Sequence, residues 1–327
     1  MRAVRFDEYG DYDVLKVVDI PRPEPGEGQV LVQMRAAAVN PFDNTCRRGW
    51  VAQVPPGTIQ GNEGVGVVVD GNDRLPAGTR VMLMGTFGFA RDGTWQDMIA
   101  VTPDEATPAP ENLSDVEAAA APIAYVAAQL ALAHGVRLTS GMTLLIPGVG
   151  GSVGNAAVQL ATIHGAGRVI TSASRTDKAE RGRSEGYEVI DRSKETLSEG
   201  VMRLTDGKGV DVVLDSIGGE VTGQALNALA PGGRLIHMGY PAGTDLTVNS
   251  LSLIWGPAGT GSTSIEGFNI YFQTPEAFAD AWTAVLPLLE SGRVKPIIDR
   301  TYPLEDAGEA TRHLVEDRPY GKVVLTM

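Results

Sequence analysis

The chain has 327 residues, of which 43% are hydrophobic and 20% are charged. This is an ordinary globular balance, and the length predicts two domains, because single hydrophobic cores stop growing near about 250–300 residues. The formal net charge of −13 argues against a protein that binds nucleic acid or an anionic membrane surface.

The cysteine content and the apolar runs indicate the cellular compartment of the protein. Cys46 is the single cysteine, so the chain can form neither an internal disulfide nor a thiolate cluster for structural zinc. The opening sequence MRAVRFDEYG has no apolar signal-peptide core, and no stretch reaches the roughly 20 apolar residues that span a bilayer. We therefore expect a cytoplasmic protein in which Cys46 is a small buried hydrophobic residue.

Residues 1–110 contain short β-like runs separated by turn sequences such as PRPEPGEGQ and DGNDRLPAGT. Frequent short strands with such turns predict a partly antiparallel β domain or barrel. The predicted strands are Met1–Phe6, Leu15–Ile20, Val30–Ala37, Val65–Val69 and Arg80–Met84.

A helix is predicted over Val116–His134, because Ser114 and Glu117 form a capping-box pattern at its start. Apolar strands then alternate with helices, which predicts βαβ units and a parallel, doubly wound sheet. The predicted strands are Thr143–Ile146, Arg168–Ser172, Glu188–Ile190, Val210–Asp215 and Arg234–Met238, and the helices are Val153–His164, Asp177–Glu185, Lys194–Thr205 and Glu220–Leu229.

The alternation stops after Gly239. A stretch rich in Gly, Ser and Thr, Gly256–Ser264, is followed by further elements. These elements do not keep the regular alternation of strand and helix that marks the parallel sheet. They are a strand-like Ile265–Phe272, helices Pro275–Ser291 and Leu304–Glu316, and a final strand Gly321–Thr326. We assign them to the first domain.

A glycine-rich segment follows the predicted strand Thr143–Ile146: TLLIP runs into GVGGSVG and then into the helical sequence NAAVQLATIHG. This arrangement is typical of dinucleotide-binding βαβ units. Glycines permit the tight turn and the close approach of the backbone to a pyrophosphate, and the helix N-terminus offers N–H groups. The predicted cofactor-binding residues are Gly148, Gly150, Gly151, Ser152, Val153 and Gly154.

The tip of the next strand predicts which dinucleotide binds. In NAD-binding units an acidic residue about 20 residues further on bonds the ribose 2′-hydroxyl. Here that region holds Ser174 and Arg175, with Lys178 close behind. These side chains suit the 2′-phosphate of NADPH, so we favour NADP(H) over NAD(H), although Asp177 also fits a solvated helix start. Arg192, after the third strand, is a further candidate.

Six segments, in order along the chain, resemble a known family. They are AAAVNPFDNTCRRG, GNEGVGVVVDG, LLIPGVGGSVGNAAVQLA, GVDVVLDSIGG, LAPGGRLIHMG and GKVVLT. Through them the chain resembles the medium-chain dehydrogenase/reductase superfamily and, within it, the zinc-free quinone oxidoreductase (zeta-crystallin-like) group. The resemblance implies an α/β fold with a GroES-like, β-rich catalytic domain in residues 1–123 and 258–327, and a doubly wound Rossmann domain in residues 124–257.

The same resemblance carries expectations for the site. Zinc-dependent relatives have a catalytic Cys near the position of Asn40 and a His–Glu pair where this chain has Asn62 and Glu63, so we expect no metal. Asn40 and Asp43 match the Asn-x-x-Asp element, which implies that Asn40 lies near the nicotinamide ribose and the substrate. The resemblance further implies cofactor contacts at Gly239 and Lys322.

Without zinc, hydrogen-bond donors must stabilise charge on the substrate oxygen. The candidate catalytic residues are Asn40, Thr45 and Tyr125. Thr45 stands where the family has Tyr, and Ala127 where a Thr is usual, which weakens the case for quinones. None of the four histidines is assigned a catalytic role. The candidate pocket residues are Trp50, Trp95, Tyr240 and Trp255.

We therefore expect an NADPH-dependent, zinc-independent reductase of quinones or α,β-unsaturated carbonyl compounds. One alternative is an enoyl-thioester reductase that acts on a CoA or carrier-protein substrate, for which Arg47 and Arg48 offer only a small basic patch. Another is a dinucleotide-binding structural or redox-sensing protein with little turnover. We also expect a homodimer, formed through an edge strand near Thr247–Ile254.

Overall fold

Strands run through both the early and the late parts of the chain in this computed structural model, which describes residues 1–256 and 261–327. In chain order they are β1 Arg2–Phe6, β2 Leu15–Asp19, β3 Val30–Val39, β4 Glu63–Asp70, β5 Arg80–Met84, β6 Met98–Val101, β7 Ala106–Pro108, β8 Thr143–Pro147, β9 Arg168–Ala173, β10 Glu188–Asp191, β11 Val210–Asp215, β12 Leu229–His237, β13 Ser264–Gly267, β14 Ile298–Pro303 and β15 Lys322–Thr326.

Half of the α-helices in the described residues lie in the middle of the chain, between the strands of a parallel sheet. In chain order they are α1 Pro41–Arg47, α2 Asp115–Ala120, α3 Pro122–Leu130, α4 Ser152–Ile163, α5 Thr176–Ser184, α6 Leu197–Leu204, α7 Glu220–Leu226, α8 Ser250–Trp255, α9 Pro275–Glu290 and α10 Ala307–Arg312.

The chain divides into two compact units. The first comprises Met1–Ala124 and Leu286–Met327, and the second comprises Tyr125–Val285. The first unit contains a seven-stranded sheet in the order β14-β15-β3-β4-β5-β7, with β6 also paired to β3, and a separate pair of β1 and β2. β15 runs antiparallel to β3, and β3 antiparallel to β4. Strands from distant parts of the chain therefore lie side by side.

The second unit is built around a six-stranded sheet in the order β10-β9-β8-β11-β12-β13, and all its neighbouring strands are parallel. The strand order reverses between β8 and β11, as in a doubly wound Rossmann fold, where dinucleotides bind at the carboxyl ends of the strands. Leu145, Ile170, Val213 and Leu235, one from each of four strands, are fully buried in its core. The predicted fold class is confirmed.

One helical run is long and apolar. By length and composition alone Asp115–Val136 could cross a membrane, but 78% of its most apolar window is buried within the protein. It comprises α2, α3 and a π-helical turn, Ala131–Val136. It has the burial of a core helix.

Two sequence predictions differ from the structure. The predicted domain boundary between residues 257 and 258 lies outside the described residues, but β13 pairs with β12. Residues 264–267 therefore extend the second unit's sheet instead of returning to the first unit. The predicted dimerisation strand near Thr247–Ile254 is also wrong, because Ser250–Trp255 form α8, with the Asn249 side chain accepting a hydrogen bond from Leu251 N.

Candidate active site

Asn40 lies at the start of α1, in the first unit. Its backbone N–H donates to Asp43 Oδ2 at 2.7 Å, and Asp43 Oδ1 accepts a hydrogen bond from Gly61 N at 3.2 Å. Pro41 follows as the first helical residue, a position where the missing N–H of proline has no cost. Asp43 thereby ties the helix start to the segment that leads into β4.

The amide group of Asn40 is held on both sides. Its Nδ2 donates to Asn62 Oδ1 at 2.7 Å and to Glu63 Oε1 at 2.8 Å. Its Oδ1 accepts a hydrogen bond from Lys322 Nζ at 2.6 Å. An amide nitrogen has two N–H donors, so both are used within the protein and the orientation of this buried side chain is fixed.

A buried ion pair supports this arrangement. Lys322 Nζ lies 2.6 Å from Glu63 Oε1, and the two side chains are 2% and 0% exposed. Glu63 Oε2 accepts a hydrogen bond from Ile123 N at 2.8 Å. Lys322 begins β15 and Glu63 begins β4, and both strands flank β3. We call Asn40, Asn62, Glu63 and Lys322 the amide–ammonium cluster.

Asp43, next to this cluster, is buried. Burial raises the pKa of its carboxyl to about 7, even though the hydrogen bonds from Asn40 N and Gly61 N favour the charged form. This carboxyl therefore titrates near neutral pH.

In the second unit, the loop after β8 has the geometry of a phosphate-binding turn. Gly148 has φ +90°, which side-chain-bearing residues rarely adopt, and Gly151 caps α4. A Cβ on Gly154 would lie 2.5 Å from the carbonyl oxygen of Gly148, so glycine is required for the close packing of loop and helix. The first N–H groups of α4 have no partner within the helix and can bind phosphate.

The tip of β9 carries basic and hydroxyl side chains. Ser174 and Arg175 are exposed immediately after the strand, whereas Lys178 in the first turns of α5 is mostly buried. The backbone N–H of Arg192 donates to Ala173 O at 2.9 Å, which places Arg192 beside the same strand end. The residues predicted to discriminate between NADP(H) and NAD(H) thus lie close to the carboxyl end of β9.

Asp215, at the end of β11, organises the next loop. Its Oδ1 accepts hydrogen bonds from Ile217 N at 2.8 Å and Gly218 N at 3.1 Å, and its Oδ2 from the Thr222 hydroxyl and from His237 Nδ1 at 3.2 Å. Burial opposes ionisation, but the bonds from His237, Thr222 and the backbone outweigh it, so the pKa of this carboxyl is lowered. His237 ends the neighbouring strand, β12.

The loops after β11 and β12 touch each other through their backbones. Ala242 N donates to Ile217 O at 2.9 Å, and a Cβ on Gly239 would lie 2.5 Å from Ser216 O. These loops end the strands of the second half of the sheet, over which the nicotinamide half of a dinucleotide lies in this fold. The second unit therefore has both halves of a dinucleotide site.

Comparison with known proteins agrees with this geometry. Residues 26–111 match the family model of the alcohol dehydrogenase GroES-like domain, and residues 185–325 match that of the zinc-binding dehydrogenases. Rattus norvegicus quinone oxidoreductase is 30% identical over 337 residues, which cover 100% of this chain and 98% of the relative. The chain belongs to the quinone oxidoreductase group of the medium-chain dehydrogenase/reductase superfamily. It is an oxidoreductase with a nicotinamide dinucleotide-binding fold.

Other members of this superfamily are equally similar. A synaptic vesicle membrane protein VAT-1 homolog of Danio rerio is 31% identical over 99% of this chain and 70% of its own. The structure of an NAD-dependent alcohol dehydrogenase matches with a TM-score of 0.90 at 30% identity, covering 100% of both chains. A mycobacterial protein complexed with NADPH gives 0.88 at 28% over 100% of both chains, and the JamJ enoyl reductase 0.83 at 28% over 100% and 99%.

The zinc-binding dehydrogenase match raises the question of whether this member's site fits zinc. Zinc takes thiolate, imidazole or carboxylate ligands, but Asn40 and Asn62 provide amides, and the Lys322 ammonium lies 2.6 Å from Asn40 Oδ1. In residues 1–256 and 261–327, no three His, Cys, Asp or Glu side chains are grouped to hold a metal. Cys46 is buried against Phe6, and burial raises the pKa of its thiol. The residues do not fit a zinc centre.

The three predicted catalytic side chains have hydrogen-bond partners within the protein. The Asn40 amide is held in the amide–ammonium cluster. The Thr45 hydroxyl donates to Pro41 O at 2.7 Å, a bond within α1 itself. Tyr125 is buried in the second unit, and its hydroxyl donates to Gln159 Oε1 at 3.3 Å. The donors of the Asn40 amide and of the Thr45 hydroxyl are thus both used within the first unit.

The predicted pocket residues are in different environments. Trp95 is wholly buried in the core of the first unit and donates its indole N–H to Ala38 O at 3.1 Å, so it does not line a pocket. Trp50 is half exposed beneath the Arg48 guanidinium. Tyr240 and Trp255 are exposed on the second unit.

Lys322, for which the resemblance implies a contact with the dinucleotide, has its ammonium buried in the first unit and bound to Glu63 and Asn40. Sequence reasoning also missed the Asp215–His237 pair. A signal was present: Glu63 and Lys322 each come shortly before an apolar run, and Asp215 comes directly after one. Charges at these positions seldom lack a partner.

Proposed function

We propose that the protein is an NADPH-dependent, zinc-independent reductase of quinones or α,β-unsaturated carbonyl compounds. The observation that carries the proposal is the amide–ammonium cluster, because the resemblance places metal ligands of zinc-dependent relatives at Asn40 and Asn62, where this chain has amides, and the Lys322 ammonium lies beside Asn40. A conjugated acceptor spreads the charge that it gains over several atoms, so it needs a strong Lewis acid less than a simple ketone does. A site with amides in place of metal ligands therefore favours conjugated acceptors.

Residues of the second unit would hold NADPH. The turn at Gly148 and the N-terminus of α4 suit its pyrophosphate. Arg175 and Lys178 suit its 2′-phosphate, because β9 ends at Ala173 without an acidic residue directly after it. When bound, NADPH supplies a hydride from C4 of its nicotinamide ring. The acceptor takes up this hydride and one proton, which yields a hydroquinone or a saturated carbonyl compound.

In the first unit, the contacts of the amide–ammonium cluster hold its side chains in fixed positions. The buried charge of Glu63 is balanced by Lys322, and Asn40 is fixed between them. Fixed polar groups position their neighbours without reorganisation during a reaction. We assign Asn40 to a positioning role within the first unit. Separately, in the second unit, we propose the exposed Tyr240 as a donor to the substrate oxygen.

An enoyl-thioester reductase remains the second candidate, and the similarity to the JamJ enoyl reductase favours it. The structure offers little for a CoA or carrier-protein partner, however. Arg47 is buried and donates to Gly10 O at 2.6 Å and Asn44 Oδ1 at 2.6 Å, so only Arg48 of the predicted basic patch is near the surface. The third candidate is a dinucleotide-binding protein with little turnover.

A panel of acceptors tests the proposal. NADPH oxidation is measured at 340 nm with a benzoquinone, a simple enone, an enoyl-CoA and no acceptor. We expect turnover with the quinone or the enone, and no change after dialysis against a chelator. Turnover with the enoyl-CoA alone would select the second candidate, and turnover with none would select the third. Activity that is lost with bound zinc would contradict the zinc-independent assignment.

The double variant Arg175→Ala/Lys178→Ala tests the choice of cofactor. A hydrogen bond to a charged group contributes about 1.5–3 kcal/mol, and less where it is exposed. We therefore expect NADPH binding to weaken roughly 10- to 100-fold, with NADH nearly unchanged because it lacks the phosphate. Equal weakening of both dinucleotides would remove the basis of the NADPH assignment.

We further propose that the protein acts as a cytoplasmic homodimer. β13 lies at the edge of the second unit's sheet, paired to β12. Nearby in the chain, Leu251 and Ile254 of α8 are each 63% exposed. A sheet edge with unpaired backbone groups and large exposed apolar side chains favours association, and a second copy of the chain offers a matching edge.

A further inference from the structure

A carboxylate lies among the basic groups at the tip of β9. Arg175 caps the N-terminus of α5, and Asp177 lies in the first turn of that helix. Arg175 Nε donates to Asp177 Oδ1 at 3.0 Å, and Arg175 Nη2 donates to Asp177 Oδ2 at 2.7 Å. The guanidinium therefore forms a two-point contact with a carboxylate of the same chain.

This carboxylate has the partners that a bound anion would have. Hydrogen bonds from Arg175, followed by one from Lys178 N, lower the pKa of the Asp177 carboxyl. A fork of guanidinium N–H donors and a helix N-terminus are the two features that bind phosphate groups in proteins. Asp177 thus resembles an anion held at the position where we place the 2′-phosphate.

The other nearby carboxylate is bound elsewhere. Asp191 Oδ1 accepts from Ser193 Oγ at 2.6 Å, and Asp191 Oδ2 accepts from Thr176 Oγ1 at 2.8 Å and lies 3.3 Å from Lys194 Nζ. This carboxylate is almost wholly buried at the end of β10. Asp177, in contrast, is exposed and paired with Arg175. Of these two acids, Asp177 is the one placed to compete for the guanidinium.

We propose that Asp177 is a specificity-determining residue that competes with the 2′-phosphate of NADPH for Arg175. This inference rests on the proposed NADPH function. To contact Arg175, the phosphate must displace the carboxylate and then remain near its negative charge. NADH has a hydroxyl at that position, so it neither has to displace the carboxylate nor is repelled by its negative charge. Asp177 therefore narrows the preference for NADPH over NADH and leaves the protein able to use both.

The test compares Asp177→Asn with Glu180→Gln. Both variants remove one negative charge from α5, and both side chains are exposed, but Glu180 lies a turn further along the helix. The dissociation constants of NADPH and NADH are measured by nucleotide fluorescence, and melting temperatures check that each variant folds. We expect Asp177→Asn to tighten NADPH binding about 3- to 10-fold, from the loss of an exposed ion pair and of a like charge nearby. Its NADH binding stays within about twofold.

Further variants separate the possible results. In an Arg175→Ala background Asp177→Asn should tighten NADPH binding less, because no guanidinium is then released and only the loss of the like charge remains. The inference is wrong if Asp177→Asn leaves NADPH binding unchanged, if Glu180→Gln has an equal effect, or if NADH binding weakens instead, since the carboxylate would then hold the 2′-hydroxyl. The proposed NADPH function is tested separately by the wild-type protein, which must bind NADPH more tightly than NADH.

Discussion

The buried ion pair between Lys322 and Glu63 leads to a prediction about stability. Replacing Lys322 with Met keeps most of the side-chain volume but leaves the Glu63 carboxylate buried without its counter-charge. Removal of one partner of such a pair costs about 3–5 kcal/mol. Lys295→Met is a matched control, because Lys295 Nζ is also 2.6 Å from a glutamate oxygen, that of Glu117, in the same unit, but the lysine is 61% exposed. An exposed pair contributes about 0–1 kcal/mol.

The assay is thermal and urea unfolding followed by circular dichroism. A domain of 150–250 residues loses about 2–4 °C in melting temperature for each kcal/mol, so Lys322→Met should lower the transition of the first unit by roughly 6–20 °C. Lys295→Met should shift it by less than about 4 °C. The double variant Glu63→Gln/Lys322→Met should recover most of the loss, because no charge remains buried. Equal effects of the two lysine variants, or additive effects in the double variant, would refute the reasoning.

Three other predictions concern pH, assembly and the cofactor loop. Burial raises the pKa of Asp43 from 3.8 to about 7, so the folded protein binds a proton that the unfolded chain releases. As the pH rises from about 4 to 7, the unfolding free energy of the wild type, measured by urea titration, should therefore fall relative to that of Asp43→Asn. Parallel plots of unfolding free energy against pH for the two proteins would contradict this. The variant Leu251→Glu/Ile254→Glu should sediment as a monomer, whereas Val17→Glu, at another exposed apolar position, should remain dimeric like the wild type. His237→Leu should weaken NADPH binding about 3- to 10-fold, whereas His237→Asn, which keeps an N–H donor, should not; equal losses would argue against a role for that hydrogen bond.

The element order of the second unit can be predicted because each apolar strand is followed by a polar, helix-forming segment. α8 shows the limit of such patterns. LTVNSLSLI alternates like a strand, but Asn249 accepts a hydrogen bond from Leu251 N and starts a helix there. Alternation places side chains on two faces in any extended segment, and it does not state whether a neighbouring strand is available to pair. The position next to β12 in the sheet is occupied instead by β13, which has only four residues.

The phosphate turn and the basic tip of β9 were predictable for a related reason, since both are formed by residues close together in sequence. The amide–ammonium cluster was not. Lys322 meets Glu63 because β15 and β4 both flank β3, and this order depends on pairings between distant strands. A charge before an apolar run indicates that a partner exists, but it does not identify that partner.

The position of β15 also has a consequence for how the protein is made. β15 lies between β14 and β3 within the sheet of the first unit, although the ribosome synthesises it after the whole of the second unit, Tyr125–Val285. The usual order, in which the N-terminal domain folds first during translation, is thus reversed here. The second unit is contiguous and can fold as it emerges. Residues 36–39 of β3, in contrast, keep one side unpaired and open to aggregation until Lys322–Thr326 leave the exit tunnel. That short edge therefore stays exposed for most of the time taken by synthesis.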